Sequence, residues 1–221
     1  MSDQLLSLFA PHYCINCSKS GEHICGTCRL DFVQTNPSVC YRCNKLSEGN
    51  QTCVPCRSSS PIFSVDWAAD YGSAAKTLVA RGKFGSSRGA IRAMAMIMHQ
   101  ELPLRGGIDL VTYVPTATKR VRQRGFDHAK LLAKQFARLR GIPCRRLLHR
   151  RTQAKQMGAS RLTRRRQLKT AFRPASVVHA PTVLLIDDVV STGASLEACA
   201  RTLKKAGAKR IHAAVFARNR G

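Results

Sequence analysis

Asp187 and Asp188 stand together at the end of the apolar run 183–186, and Ser191, Thr192, Gly193, Ala194 and Ser195 follow closely. Adjacent carboxylates can accept hydrogen bonds from vicinal hydroxyls or hold a cation. Small residues at the opening of a helix leave amides and hydroxyls free to surround a phosphate monoester at the positive end of the helix dipole. Two like charges side by side are costly for pure structure, and the small residues add nothing to packing. A ligand site therefore outweighs the plainer reading of a strand end that caps the next helix. The segment lacks the Gly-Lys-Ser/Thr ending of a Walker loop.

A second chemistry lies in the cysteines. Eight of the ten form four Cys-x-x-Cys pairs: Cys14/Cys17, Cys25/Cys28, Cys40/Cys43 and Cys53/Cys56. Each such turn offers two thiolates to one ion, and two turns complete a tetrahedron, so the pattern predicts two structural zinc ions. A redox dithiol needs only one pair. Neighbouring pairs would give a double zinc ribbon and alternating pairs a cross-braced module; spacing leaves both open. The segment has few large apolar residues (Ile24, Leu30, Phe32, Val33 and Val39), so metal must supply most of its folding energy. Cys144 and Cys199 stand alone and read as small buried or partly buried residues.

The third signal is charge. The chain carries 37 Lys and Arg against 12 Asp and Glu, a net +25. Nineteen of the basic residues fall between Lys119 and Arg173, a stretch whose one acid is Asp127. Such a strip repels itself and attracts polyanions. Nucleic acid is the leading partner, ahead of a highly phosphorylated small ligand, an acidic protein or a merely solvated face. The residues expected to grip its phosphates are Arg145, Arg146, Arg150, Arg151, Lys155, Arg161, Arg164, Arg165, Arg166 and Lys169. Aromatics are sparse there (Phe126, Phe136 and Phe172), so base stacking is limited.

The elements that must position these groups alternate between strand and helix, which predicts an α/β fold with a mostly parallel sheet. Residues 1–60 form the Cys-rich module and 61–221 the α/β domain, with a linker at 57–61. Strands are expected at 65–71, 108–114, 183–186 and 210–218. Helices are expected at 74–81, stopped by Gly82, then at 88–102, at 126–140 and after Ser195, the last stopped by Gly207. Lys83-Phe84-Gly85 reads as a turn, and the basic tract from 143 to 173 as part helix, part mobile loop. No run of eighteen apolar residues predicts a membrane span, and Met1-Ser2-Asp3-Gln4 opens no secretory signal, so a cytoplasmic protein is expected.

With these pieces placed, the chain resembles the ComF/GntX family of competence-associated proteins. The carriers are the four cysteine pairs, Tyr71 with Lys83-Phe84-Gly85, Val114-Pro115, Arg124-Gly125-Phe126 with Ala129, Gln156 with Arg164, Ala171-Phe172, and Leu185 to Val189 with Thr192-Gly193-Ala194. The resemblance implies a type I phosphoribosyltransferase-like domain behind an N-terminal zinc domain. It implies that Asp187 and Asp188 hold the ribose hydroxyls of phosphoribosyl pyrophosphate (PRPP) with magnesium, and that Ser191, Thr192, Gly193, Ala194 and Ser195 take the 5′-phosphate. On the pyrophosphate side it implies Pro115, Thr116, Lys119, Arg120 and Arg124. Here the chain departs from the family, with Thr116-Ala117 for a usual Val-Pro and Asp127-His128 for a usual Asn-Gln. His128 reads first as a surface or core-edge residue and only second as a base or substrate contact. The expected function is handling of single-stranded DNA during uptake, with a DNA-translocating helicase as a candidate partner of the zinc module. The rival is an active phosphoribosyltransferase of nucleotide metabolism.

Overall fold

The computed structural model describes residues 13–22, 24–32, 38–84, 87–103, 106–151 and 170–219. Its centre is an all-parallel sheet in which β1 (Ser64–Asp70), β6 (Arg210–Arg218), β5 (Thr182–Val190) and β2 (Leu110–Tyr113) lie side by side in that order. A strand buried on both faces needs a continuous apolar run, and β5 has one. Its Leu184 and Ile186 join the core under α1 (Ser73–Phe84), α2 (Arg88–Glu101) and α4 (His128–Arg140). Its Val183 and Leu185 join the opposite core, under α5 (Ala194–Lys205) and a two-stranded antiparallel sheet of β3 (Leu148–Arg150) and β4 (Phe172–Pro174). A short helix, α3 (Thr118–Arg124), links β2 to α4.

Several boundaries differ from the sequence expectation, each for a physical reason. Gly82 does not stop α1, which runs on through Lys83 to Phe84. A Cβ at Gly82 would lie 2.9 Å from the Met94 Cε of α2, so the glycine serves helix–helix contact. The helix expected at 126–140 begins at His128, because Asp127 caps it by accepting from the Lys130 amide at 3.3 Å. β5 outlasts its apolar run, because Asp187 and Val189 pair with Val215 and Ala217 of β6. The root of the basic tract is pinned rather than loose. The Val111 amide donates to the Pro143 carbonyl at 2.9 Å and the Arg145 amide to the Val111 carbonyl at 3.0 Å, covering the open edge of β2. Lys155, Arg161, Arg164, Arg165, Arg166 and Lys169 lie outside the described residues.

The cysteine segment reaches both faces of the sheet. Phe32 packs against Phe216 of β6 with ring centroids 5.8 Å apart, while Val39 and Tyr41 enter the opposite core. Backbone bonds join it to β1 and β6: the Thr52 amide donates to Phe63 and the Phe63 amide to Ile211, both at 2.7 Å. Among the described residues no helix is long and apolar enough to cross a membrane.

Candidate functional site

At the carboxyl ends of β5 and β2 a cavity of about 640 Å³ opens between α1, α3 and the start of α4. This is where open α/β sheets place their ligands. Asp187, Asp188 and Ser195 enter it from the β5–α5 side, and Pro115, Thr116, Arg120 and Arg124 from the segment after β2. Lys119 is exposed beside this segment, as are Ser191 and Thr192 beside the loop. Gly193 holds φ at 73°, in the left-handed region, as the residue before α5.

The two aspartates are not equivalent. Asp188 is 5 % exposed and its Oδ2 lies 2.6 Å from Lys83 Nζ and 3.0 Å from His128 Nε2. Burial alone would raise its pKa, but His128 and Lys83 outweigh it and hold the carboxyl at about 2. Asp187 is pushed well above the usual carboxylate range by burial and then by the neighbouring Asp188 charge. Its Oδ1 accepts from the Asp188 amide at 2.9 Å. Among the described residues Asp188 thus has two partners at ion-pair distance and Asp187 none.

His128 is buried in this site rather than lying on the surface. With Nε2 donating to Asp188, its Nδ1 faces Arg124 Nη1 at 3.2 Å as an acceptor. Arg124 lies 4.9 Å above the Phe84 ring, so α1, α3 and α4 converge on one chain of contacts. Lys83 was legible only as part of the Lys-Phe-Gly resemblance; no local spacing signals that it reaches Asp188.

A second cavity of about 540 Å³ shares Pro115, Thr116 and Arg150 with the first. Its rim carries Lys130 and Lys134, one turn apart on α4, with Arg146 and His149 opposite. Its one acid, Asp127, is engaged by the Thr116 hydroxyl at 2.8 Å and by the Lys130 amide. Arg145 and Arg151 are exposed nearby in sequence. Burial lowers the pKa of Arg150, which lies 5.4 Å from the Phe172 ring centroid. Lys130 and Lys134 belong to the basic stretch 119–173 but were not singled out as phosphate contacts, because they sit in an ordinary amphipathic helix; the fold brings them into one cavity lining with Arg146.

The cysteines settle the pairing left open by spacing. Cys14, Cys17, Cys25 and Cys28 form one group and Cys40, Cys43, Cys53 and Cys56 the other, with all sulfurs of a group within 4.8 Å of one another. Cys17 and Cys25 sulfurs are 3.6 Å apart, and those of Cys43 and Cys53 3.5 Å. Thiolates about 2.3 Å from a tetrahedral zinc would be roughly 3.8 Å apart, so both groups fit the ion. Burial raises the Cys14 and Cys40 thiols, but backbone amides outweigh it and bring each to about 6. Cys56 is pushed up to about 12 by the Cys53 thiol and by burial. A cluster that divides its protons this way sheds the remaining ones when a cation arrives.

Sheet order, switch-point cavity and strand–loop–helix together define a phosphoribosyltransferase-type domain carrying an eight-cysteine module. Residues 121–221 match the phosphoribosyl transferase domain family. Competence protein F of Haemophilus influenzae is 29 % identical over 225 residues, covering 90 % of this chain and 93 % of that protein. DNA utilization protein YhgH of Salmonella typhi is 29 % identical over 202 residues, covering 85 % and 87 %. Competence protein ComFC of Streptococcus pneumoniae is 25 % identical, covering 85 % and 84 %. These similarities over most of the chain support the ComF family. Among solved structures, an allosteric regulatory enzyme of purine biosynthesis aligns at TM-score 0.42 and 20 % identity, over 59 % of this chain and a quarter (25 %) of that one.

Proposed function

We propose that this chain binds magnesium-PRPP in the cavity at the ends of β5 and β2, and single-stranded nucleic acid along the adjoining basic groove, in the uptake or utilization of DNA. The observation that carries the reading is the junction of the two cavities at Pro115, Thr116 and Arg150, one holding Asp187 and Asp188 and the other rimmed by cations. Names among the relatives (competence and DNA utilization) support the biological setting. On this reading Asp187 meets the ribose hydroxyls and the ligand's magnesium, since Asp188 is already paired with Lys83 and His128. Magnesium would supply charge neutralisation on the pyrophosphate. Arg120 and Arg124 assist it from α3, and the 191–195 loop takes the 5′-phosphate. A location in the cytoplasm agrees with this role.

A second reading is turnover of PRPP with an acceptor, favoured by a cavity whose volume leaves room beside the sugar phosphate. The deciding experiment measures binding of magnesium-PRPP and of a single-stranded oligonucleotide, separately and together. Mutual competition or independence is expected without pyrophosphate release. Magnesium-dependent pyrophosphate release would establish the second reading, and failure to bind PRPP would overturn both.

A further inference from the structure

Gly193, at the centre of the phosphate loop, is covered by a residue from the cysteine module. A Cβ placed on it would meet Tyr41 Cε2 at 2.7 Å, so only glycine fits beneath the ring. Tyr41 lies between Cys40 and Cys43 of the second cluster and is 5 % exposed. Its hydroxyl donates to Glu197 Oε1, in the first turn of α5, at 2.8 Å. The next residue, Arg42, places Nε 3.1 Å from the same oxygen and donates from Nη1 to the Cys56 carbonyl at 3.3 Å. From the other side, the Arg218 guanidinium donates to the Tyr41 carbonyl at 3.2 Å.

Glu197 makes this contact more than packing. A carboxylate in the first turn of a helix draws on the same positive potential that a phosphate at the N-terminus would use. Left unpaired it would also repel that phosphate. Arg42 and Arg201, the latter 3.1 Å from Oε2, neutralise it, and Tyr41 supplies a donor. Among the described residues, one of the two cations and the one phenol at this carboxylate therefore come from a cysteine turn.

We propose that the second Cys₄ knuckle is the support of the phosphate loop: Tyr41 fixes Gly193 in place and Arg42 silences Glu197, so metal in this cluster and anion binding by the loop favour each other. The proposal rests on the reading of the 191–195 loop as a 5′-phosphate site. Tyr41 and Arg42 are positioning residues and touch no ligand.

The test titrates full-length, zinc-loaded protein with ribose 5-phosphate by calorimetry and measures zinc content in parallel. Tyr41→Ala is expected to weaken binding about tenfold, within the usual range of coupling between sites, with both zinc ions retained. Tyr41→Phe, which keeps the ring, should lose far less. Arg42→Ala should weaken binding as well, and Glu197→Gln in the same chain should restore it by removing the negative charge that Arg201 alone is left to offset. This last pair carries the test if Tyr41→Ala does not fold. By reciprocity, ribose 5-phosphate should raise the chelator concentration needed to strip the second cluster. Wild-type affinity in both Tyr41→Ala and Arg42→Ala, with zinc retained, overturns the proposal alone. A wild-type protein that binds no ribose 5-phosphate overturns the phosphate-loop reading and the proposal with it.

Discussion

Asp187 and Asp188 are neighbours in the chain with opposite electrostatic settings, and substitution should move stability in opposite directions. Asp188 is held at about 2 by His128 and Lys83, below the unfolded value of about 3.9. Its stabilising contribution is complete above the unfolded value and is lost as pH falls through it toward 2. Asp188→Asn leaves two donors facing a neutral amide, and the expected loss in urea melts at neutral pH is about 2–3 kcal/mol. Asp187 is raised by burial and by Asp188, so the folded state holds its proton more tightly than the unfolded chain does. That preference stabilises the fold at low pH and fades as pH rises through the folded value, leaving a cost at neutral pH. Asp187→Asn removes the cost. It should raise the melting temperature by about 2–4 °C while abolishing magnesium-PRPP binding. Below the raised folded value of Asp187, calorimetric binding in buffers of different ionisation enthalpy should also show proton release from it in the wild type. Shifts of the same sign in both variants would show that the pair is not divided in this way.

At the scale of elements, the proposed hold on nucleic acid falls to the groove between α4 and β3. Lys130 and Lys134 face Arg146 across about 540 Å³, and Asp127 is already engaged. Each phosphate contact contributes about one unit to the log–log salt dependence of binding. Lys130→Glu, Lys134→Glu and Arg146→Glu should each lower that slope by about one, with weaker affinity for oligonucleotides of every sequence. An unchanged slope in all three would remove the groove from the interface. The long elements were legible because pattern and length agree: 210–218 and the 183–186 core of β5 read as strands, and the stripe of Ile91, Met94 and Met98 as a helix. α3 was not, since its single apolar residue, Val121, makes no stripe. β3 and β4 are three residues each, too short for a period to show. Gly82 reads as a stop in any local pattern, yet α1 runs through it where Met94 of α2 comes close. The acids and the small-residue loop 191–195 were visible as residue types, whereas Lys83 and His128 joined the acids through tertiary contact.

At the scale of the whole molecule, the cysteine module and the sheet share cores on both faces, so they should unfold together. Phe32 against Phe216, Tyr41 against Gly193, and the backbone bonds from Thr52 to Phe63 and from Phe63 to Ile211 leave few contacts that could break independently. The module has few large side chains and its two Cys₄ groups fit zinc, so zinc bound there would be folding energy for the entire chain. A reporter is built in: Arg218 lies 4.3 Å from the Trp67 ring centroid and donates to the Tyr41 carbonyl. Loosening the second knuckle should release Arg218 and change the surroundings of the chain's one tryptophan. A chelator titration followed by Trp67 emission and by far-ultraviolet circular dichroism should therefore give coincident curves, and the thermal transition should stay single while its midpoint falls with zinc content. Loss of zinc with Trp67 emission unmoved, or a separate low-temperature transition of the module, would mean that the knuckles fold apart from the sheet they touch.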